Sequence, residues 1–226
     1  SSKENKWCSV AEYVDRMKEG QEEIYYISGE NRQLLMKSPQ METFLDKDLE
    51  VLFFTDPVDE FWLPNINEYK NKKFKSITKG DIDLKKFQKT KPTDENKNSE
   101  SIKSLIIFLK SHYGDKVKDV KVSDRLKSSP VCFVADDNDM DMHLESILKK
   151  HKHLDKVSSK VLEINPDHSI IKGLSKVDIT DSNKKSTLKE VSDILLDQAR
   201  LLEGIPLEDS KLFCDNINEL LIKKFA

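Results

Sequence analysis

Histidine and cysteine are the residue types best suited to metal binding or nucleophilic catalysis, and this chain spaces them poorly for both. His151 and His153 are two residues apart, so they would not share one face of a helix. The cysteines at positions 8, 132 and 214 are odd in number and widely scattered, which favours neither a zinc site nor a disulfide framework. Cys132 lies in an apolar run, where a small buried side chain is expected rather than a nucleophile. We predict no metal site and a reducing compartment.

Carboxylates and phosphate-binding loops give no stronger catalytic signal. Asp56, Asp59 and Glu60 form an acidic cluster, but a helix start explains them better, with Asp56 as the cap and the other two in the first turn. His168 is expected to be a local hydrogen-bonding group at a helix start. The chain has only six glycines, and no phosphate-cradling glycine loop occurs. We predict no catalytic residue.

Composition restricts the class of protein. The 226 residues are enough for one or two domains with real cores. Charged residues make up 35% of the chain, yet the net charge is only −3, which argues against a protein that binds nucleic acid by neutralising phosphates. The richest apolar run, 105–109, is too short to span a membrane, and the sequence does not begin with an apolar signal region. We expect neither a membrane nor a nucleic acid as partner.

The first part of the chain alternates helical and strand-like patterns. Spacing predicts a helix from Val10 to Met17, a strand over 24–27, one or two short helices over 34–45, a strand over 49–54 and a helix starting at Pro57. This alternation favours a small α/β layer domain. Residues 85–99 are nearly all polar and indicate a linker.

The second part begins with a predicted helix over 102–109. Strands are predicted over 117–122, 131–134 and 160–164, with a helix over 140–150 between the second and third. Asn165 followed by Pro166 predicts a capped helix start, and 178–185 is expected to be a loop.

The chain closes with two helical patterns separated by Gly204-Ile205-Pro206. The first helix carries three consecutive apolar residues, 194–196, so its apolar surface exceeds one face. Two copies could share this surface in a four-helix bundle across a twofold axis. Alternatively, a monomer could use the same helices to close its own core.

Two further apolar groups allow a structural and a functional interpretation. Met140, Leu144, Ile147 and Leu148 form one helical stripe, with Met142 beside it. Such a stripe usually packs on a sheet, but methionine also suits surfaces that bind many partners. Phe61 and Trp62 are an aromatic pair, which belongs to a core more often than to a binding site.

Three segments carry a resemblance to a known family. They are Glu163-Ile164-Asn165-Pro166-Asp167-His168-Ser169, residues 20–27 (GQEEIYYI) and residues 50–60 (EVLFFTDPVDE). Further matches are 74–84, 123–130 and 196–199, and the similarity extends from Trp7 to Phe225. The chain resembles the ninety-kilodalton heat-shock chaperone family, at the end of its middle domain and in its C-terminal dimerisation domain.

The resemblance implies a mixed α/β (α+β) fold in two domains. Residues 1–92 would be a small three-layer α/β subdomain. Residues 98–226 would be a mixed α/β domain whose closing helical hairpin forms a dimeric four-helix bundle. The predicted dimer interface consists of Leu188, Val191, Ile194, Leu195, Gln198, Leu202, Phe213, Ile217, Leu220 and Leu221.

The resemblance also implies a surface for non-native client proteins. Met140 and Leu144 fall where the bacterial form of the family has two client-facing methionines. That form has a tryptophan aligned with Phe61, whereas here the tryptophan comes one residue later, a rotation of roughly 100° on a helix. The predicted client-binding residues are Phe61, Trp62, Met140, Met142, Leu144, Ile147 and Leu148.

The function implied is that of a chaperone fragment, a homodimer that binds unfolded clients within an ATP-driven clamp. The fragment would not be an enzyme and would hold no cofactor, because ATP and magnesium would bind a domain upstream of residue 1. The chain ends Lys223-Lys224-Phe225-Ala226 where cytosolic eukaryotic members have an acidic tail, so we expect a trimmed tail or a bacterial or organellar type. We expect the bacterial, cytoplasmic type. The alternatives are a purely structural dimerisation scaffold and an enzyme with thiol chemistry at Cys132.

Overall fold

The structure, a computed structural model, describes residues 1–3, 7–66, 68–87, 100–154, 158–178 and 181–225. Their contacts form two compact units. The first consists of Ser1–Pro92, Asp124–Leu126 and Val134–Ser158, and the second of Thr93–Ser123, Lys127–Phe133 and Ser159–Ala226. The predicted linker over 85–99 is described only as far as residue 87, and the predicted boundary between residues 92 and 98 lies outside the described residues.

The described elements are seven strands and nine α-helices, which confirms a mixed α/β fold. The helices are α1 (Val10–Asp15), α2 (Arg32–Leu35), α3 (Glu42–Asp46), α4 (Asp59–Trp62), α5 (Glu100–Tyr113), α6 (Met142–Lys150), α7 (Ser169–Leu174), α8 (Ser182–Leu202) and α9 (Ser210–Phe225). The strands are β1 (Glu23–Ser28), β2 (Leu52–Phe54), β3 (Glu68–Tyr69), β4 (Lys72–Ser76), β5 (Asp119–Val122), β6 (Val131–Val134) and β7 (Val161–Ile164).

The first unit is built on a four-stranded sheet in the order β2-β1-β4-β3. The central strand β1 runs parallel to both neighbours, and Tyr26 lies opposite Leu52 on one side and Ser76 on the other. Strand β3 is antiparallel to β4. Strand β1 contributes to a core on each face of the sheet, as its aromatic and β-branched run predicts.

The two faces of β1 are covered by different helices. Tyr25 and Ile27 pack in one core with Phe44 from α3. Ile24, on the opposite face, packs with Tyr13 from α1. Helix α1 begins with a capping box, in which Ser9 and Glu12 bond to each other's backbone N–H groups, so its start is set by local sequence.

The second unit contains a three-stranded sheet in the order β5-β7-β6. Strand β5 runs parallel to β7, with Val120 opposite Leu162. The central strand β7 and the edge strand β6 are both wholly buried, which explains why their sequences are almost continuously apolar. Helix α5 buries Ile102, Leu105 and Leu109, the stripe that its spacing predicts.

The predicted start of helix α7 is wrong. Helix α7 begins at Ser169 with His168 as its cap, since the Nδ1 atom of His168 accepts the N–H of Ile170 at 3.2 Å. Asn165 instead closes the preceding turn by accepting the N–H of Asp167 at 3.0 Å. Its amide also donates to the carbonyls of Lys127 and Ser129, so tertiary contacts replace the predicted capping role. Pro166 therefore lies in a turn.

Helices α4 and α8 also differ from prediction. Helix α4 begins at Asp59, because Asp56 and Pro57 form a turn in which Asp56 accepts the N–H of Val58 at 3.0 Å. Helix α8 begins at Ser182, inside the stretch predicted as a loop. Asp181 caps it by accepting the N–H groups of Asn183 and Lys184. A single cap therefore extends the helix into a polar sequence.

Candidate functional site

Helix α4 separates the two aromatic residues that the sequence presents as a pair. Phe61 is 58% exposed, whereas Trp62 is half-buried. The indole of Trp62 donates from Nε1 to the Asp59 carboxylate at 3.0 Å, and its ring meets Phe54 edge-on with centroids 5.3 Å apart. Phe61 is therefore the residue of this pair whose side chain is free to contact a partner.

Helix α6 places the predicted methionine stripe differently from its sequence spacing. The helix starts at Met142 with Asp141 as its cap, so Met140 precedes the helix and is 44% exposed. Met142, Leu144, Ile147 and Leu148 are half-buried. The stripe is thus neither wholly buried, as expected for a purely structural scaffold, nor wholly exposed. Met140 is its most exposed member.

Two carboxylates place α4 next to the start of α6. Glu60 is only 3% exposed, and burial raises its pKa to about 7. That value includes a smaller increase from the nearby charges of Asp141 and Asp59. Glu60 is followed by Phe61, and Asp141 is preceded by Met140. Phe61 and Met140 are thus exposed apolar residues, each next in sequence to one of these acidic groups, in the same unit.

Trp62 also lines an open apolar cavity of about 520 Å³. It is lined by Val10, Trp62, Asn65, Ile66, Glu68, Tyr69 and Phe74. Sequence reasoning identified only Trp62 as a binding residue among these. The aromatic residues of β3 and β4 carry no spacing signal that would distinguish a cavity wall from a core.

The closing hairpin divides its apolar residues by exposure. Leu188 and Leu195 are buried within their own chain, Leu195 being 2% exposed. The half-buried members of the predicted interface are Val191, Ile194, Gln198, Phe213, Ile217 and Leu220, and the exposed ones are Leu202 and Leu221. In the single chain, Leu188 and Leu195 therefore act as core residues, and their predicted place in a dimer seam stays a prediction.

Four exposed apolar residues of the hairpin escaped sequence reasoning. They are Leu201 on α8 and Leu212, Ile222 and Phe225 on α9. The helical stripe rule assigns one apolar face to each helix, whereas pairs such as Leu201-Leu202 and Leu221-Ile222 extend beyond that face. These pairs of consecutive apolar residues were the sequence signal that could have identified the additional exposed residues.

Ion pairs and hydrogen bonds connect the two helices of the hairpin. Arg200 is buried and binds Asp197, one turn earlier in α8, at 3.1 Å, and Glu208 just before α9. Further along, Lys223 of α9 reaches Glu190 of α8 at 3.3 Å. Because Arg200 is nearly solvent-free, its pairs define the turn of the hairpin more strongly than the half-exposed pair does.

The sites considered for chemistry behave as structural groups. Cys132 is buried in β6, as expected, and His168 is a helix cap. Within the described ranges, no three His, Cys, Asp or Glu side chains are grouped so that they could hold a metal ion. None of the helices in that same part of the chain combines the length and the apolar character needed to cross a bilayer.

Comparison with known proteins identifies the class. Residues 1–226 match the Hsp90 protein family. The chain therefore belongs to the Hsp90 family, as its motifs predicted.

Individual relatives are proteins named chaperone protein HtpG. The one from Wolbachia pipientis is 40% identical over 227 residues, covering 99% of this chain and 36% of the relative. The one from Roseobacter denitrificans is 41% identical over 225 residues, covering 98% and 36%, and that of Rickettsia canadensis is 40% identical over 226 residues, covering 99% and 36%. The chain spans little more than a third of the length of these relatives.

Proposed function

We propose that this chain is a chaperone segment that holds two protomers together and offers an apolar surface to non-native proteins. Membership of the Hsp90 family supports the class, and the relatives named chaperone protein HtpG support the bacterial form. The domain assignment, with the end of the middle domain followed by the C-terminal dimerisation domain, belongs to the same proposal.

The client surface is centred on Phe61 and Met140. The observation that carries this assignment is that both apolar side chains are exposed in one compact unit. The half-buried residues Trp62, Met142 and Leu144 would form its floor, with Ile147 and Leu148 further along α6. Exposed methionine and aromatic side chains can adapt to different apolar sequences, as a surface with many partners requires.

The dimer interface is the exposed side of the closing hairpin. Leu202 and Leu221 retain their predicted roles, and Leu201, Leu212, Ile222 and Phe225 join them because they are exposed in the single chain. The half-buried interface residues lie beside them in sequence on the same two helices. Two hairpins would together form a four-helix bundle, the arrangement that buries this surface best.

In the whole protein, this segment would be the permanent connection of a clamp. Tethering two protomers raises the effective concentration of their N-terminal domains to roughly millimolar. ATP and magnesium would bind those upstream domains, so the segment itself would be inactive as an ATPase. The clamp would work in the cytoplasm, with no nucleic acid or membrane as partner.

Client binding is tested by titrating a labelled, permanently unfolded protein against the chain and its Phe61→Ala and Met140→Ala variants. Both variants should lower the affinity severalfold while the dimer mass is retained. Leu34→Ala is the matched control, because Leu34 is 69% exposed in the same unit but is not among the predicted binding residues. Equal affinity in all four proteins would favour the purely structural scaffold.

A further inference from the structure

The segment that precedes α6 is fixed along its length to the end of β4 and the loop after it. The N–H of Ala135 donates to the carbonyl of Thr78 at 2.9 Å, and the N–H of Gly80 donates to the carbonyl of Ala135 at 2.8 Å. Two residues later, Asp137 forms an ion pair with Lys75 at 3.0 Å. The chain is thus held in register with β4 until it reaches the cap of α6.

Asp141 completes this attachment with both of its oxygens. Oδ1 accepts the N–H of His143 at 3.1 Å, which caps α6. Oδ2 accepts the hydroxyl of Ser76 at 2.6 Å and that of Thr78 at 2.8 Å. Both hydroxyl-bearing residues are buried, so these are charge-assisted hydrogen bonds in a site with little water, where they are stronger than bonds at a surface.

The other end of α6 is held less firmly. Lys150 pairs with Glu30, but both side chains are more than half exposed, and exposed pairs of this kind contribute little. The half-buried apolar residues of α6 also hold the helix, but apolar contacts fix its position less precisely than directed hydrogen bonds do.

In the first turn of α6, buried Glu145 also accepts the N–H of Ser158 at 2.6 Å, a bond to the segment that follows the helix. Asp141 is therefore the residue that ties the helix start to Ser76 and Thr78.

We propose that Asp141 is the positioning residue of the client surface. This inference rests on the proposed function, because it concerns the same pair of exposed residues, Phe61 and Met140. By joining the cap of α6 to Ser76 and Thr78, Asp141 fixes the position of the preceding residue, Met140, relative to β4 in the unit that also carries Phe61. Loss of the two hydroxyl contacts releases the start of α6 and separates the two halves of the surface, although neither contact residue is changed.

The test removes the hydroxyl groups of Ser76 and Thr78 that bind Asp141. The hydrogen bond by which Asp141 caps α6 is left intact. Thr78→Val deletes one hydroxyl at nearly constant shape, and Thr78→Ser restores it as the matched rescue. Ser76→Ala combined with Thr78→Val removes both hydroxyls. Asp141→Asn is the complementary variant, because asparagine still caps a helix but replaces one acceptor oxygen by a donor amide.

Two readouts are measured on the full chain. The first is amide hydrogen exchange over residues 142–150, and the second is affinity for the labelled unfolded protein. Because a hydrogen bond to a charged group corresponds to roughly tenfold or more in an equilibrium constant, we expect about tenfold faster exchange and several- to tenfold weaker binding in Thr78→Val. The double variant and Asp141→Asn should show the same direction, and Thr78→Ser should be close to the parent.

Asp181→Asn is the control for a capping change in itself, because Asp181 caps α8 and lies in the other unit. It should leave both the exchange of α6 and the affinity unchanged. If Phe61→Ala weakens binding but the Thr78 and Asp141 variants alter neither readout, the positioning role is overturned and the proposed function stands. If exchange over α6 accelerates while affinity stays at the parent value, Asp141 is only a structural cap and the inference fails.

If the parent chain does not bind the unfolded protein, the proposed function itself fails, and a role in positioning a client surface fails with it. The exchange measurement then still reports whether Asp141 fixes the start of α6. Failure of the inference and failure of the proposed function therefore give different patterns.

Discussion

The indole of Trp62 meets the ring of Phe54 edge-on, with an interplanar angle of 89°. This geometry is a favourable one for two aromatic rings, and it ties the tryptophan of α4 to the last residue of β2. Together with the hydrogen bond from Nε1 to Asp59, it commits one side of the indole to the fold. Phe61 and Trp62 are both predicted to bind clients, and Phe61 is the one whose side chain makes fewer contacts within the fold.

Phe61→Ala should therefore affect mainly client binding, whereas Trp62→Ala should affect mainly stability. We expect Phe61→Ala to weaken client affinity with less than about 0.5 kcal/mol loss of stability, because its side chain is mostly in solvent. Trp62→Ala should cost about 1–3 kcal/mol, because it removes half-buried aromatic contacts. Urea unfolding and client titration of both variants measure the two effects. A stable Trp62→Ala protein with the larger affinity loss would reverse the assignment.

The dimer interface is tested by comparing a buried with an exposed position of the hairpin. Ile222→Asp puts a charge on the exposed side of α9 and should dissociate the dimer while each chain keeps its fold. Leu195→Asp should instead unfold the chain, because Leu195 is already buried in its own unit, at a cost of several kcal/mol.

Light scattering at micromolar concentration and thermal unfolding distinguish these outcomes. Leu34→Asp, exposed but outside the hairpin, should remain dimeric and stable. A dimer that persists in Ile222→Asp would place the interface elsewhere.

Glu60 makes stability depend on pH. Its folded pKa of about 7 lies above the usual 4.5, so the folded chain retains a proton that the unfolded chain releases. Stability should therefore fall as the pH rises from about 4.5 to 7, by up to about 3 kcal/mol, and stay low above that range.

Glu60→Gln should remove most of this slope in urea unfolding measured between pH 5 and 8. Equal slopes in the parent and in Glu60→Gln would contradict the assignment.

Tyr13 provides a test of buried hydrogen bonding between α1 and the first sheet. Its hydroxyl donates to the Glu50 carbonyl at 2.9 Å and accepts from Gln21 at 2.8 Å and from the N–H of Tyr25 at 3.0 Å. Tyr13→Phe leaves these groups without their partner and should cost about 2–4 kcal/mol in urea unfolding. Tyr69→Phe, at a half-buried position beside the same core, should cost less than about 1 kcal/mol.

Gly80 combines a positive φ of 62° with a close neighbour. A Cβ atom at this position would collide with the Asp137 carboxylate. Because this carboxylate is the end of a 62% exposed side chain, it can move aside at the loss of its ion pair with Lys75. Gly80→Ala should therefore cost about 1–2 kcal/mol, mostly backbone strain, and Gly80→Ala combined with Asp137→Ala about the same. A clearly larger loss in the single than in the double variant, measured by thermal unfolding, would show that the carboxylate cannot move aside.

Most elements could be predicted from the sequence because their apolar periodicity is strong. The stripe of α5 and the run at β1 were correctly assigned, as was the break at Gly204 between the closing helices. Helix starts were less predictable, because several residues near each start can cap. Asn165 was a suitable cap by type, but its amide forms tertiary bonds that no local rule reveals.

The candidate site was only partly readable from sequence. Spacing placed Met140 in the same stripe as Leu144, but the helix starts two residues later because Asp141 is held by Ser76 and Thr78, more than sixty positions earlier. The exposure of Ile222 and the burial of Leu195 depend likewise on how α8 and α9 pack, which periodicity alone does not specify.

The first compact unit takes Arg125 from a short stretch far along the chain. Its guanidinium donates to the carbonyl oxygen of Ile77 at 2.6 Å and to that of Gly80. A fragment ending at residue 92 would expose both carbonyls and lack the acceptor for Ser76 and Thr78. A fragment made to study this unit should therefore continue to Ser158. One ending at residue 92 would also lose the hydrogen bonds of Arg125 and Asp141, and their loss would be confused with the effect under study.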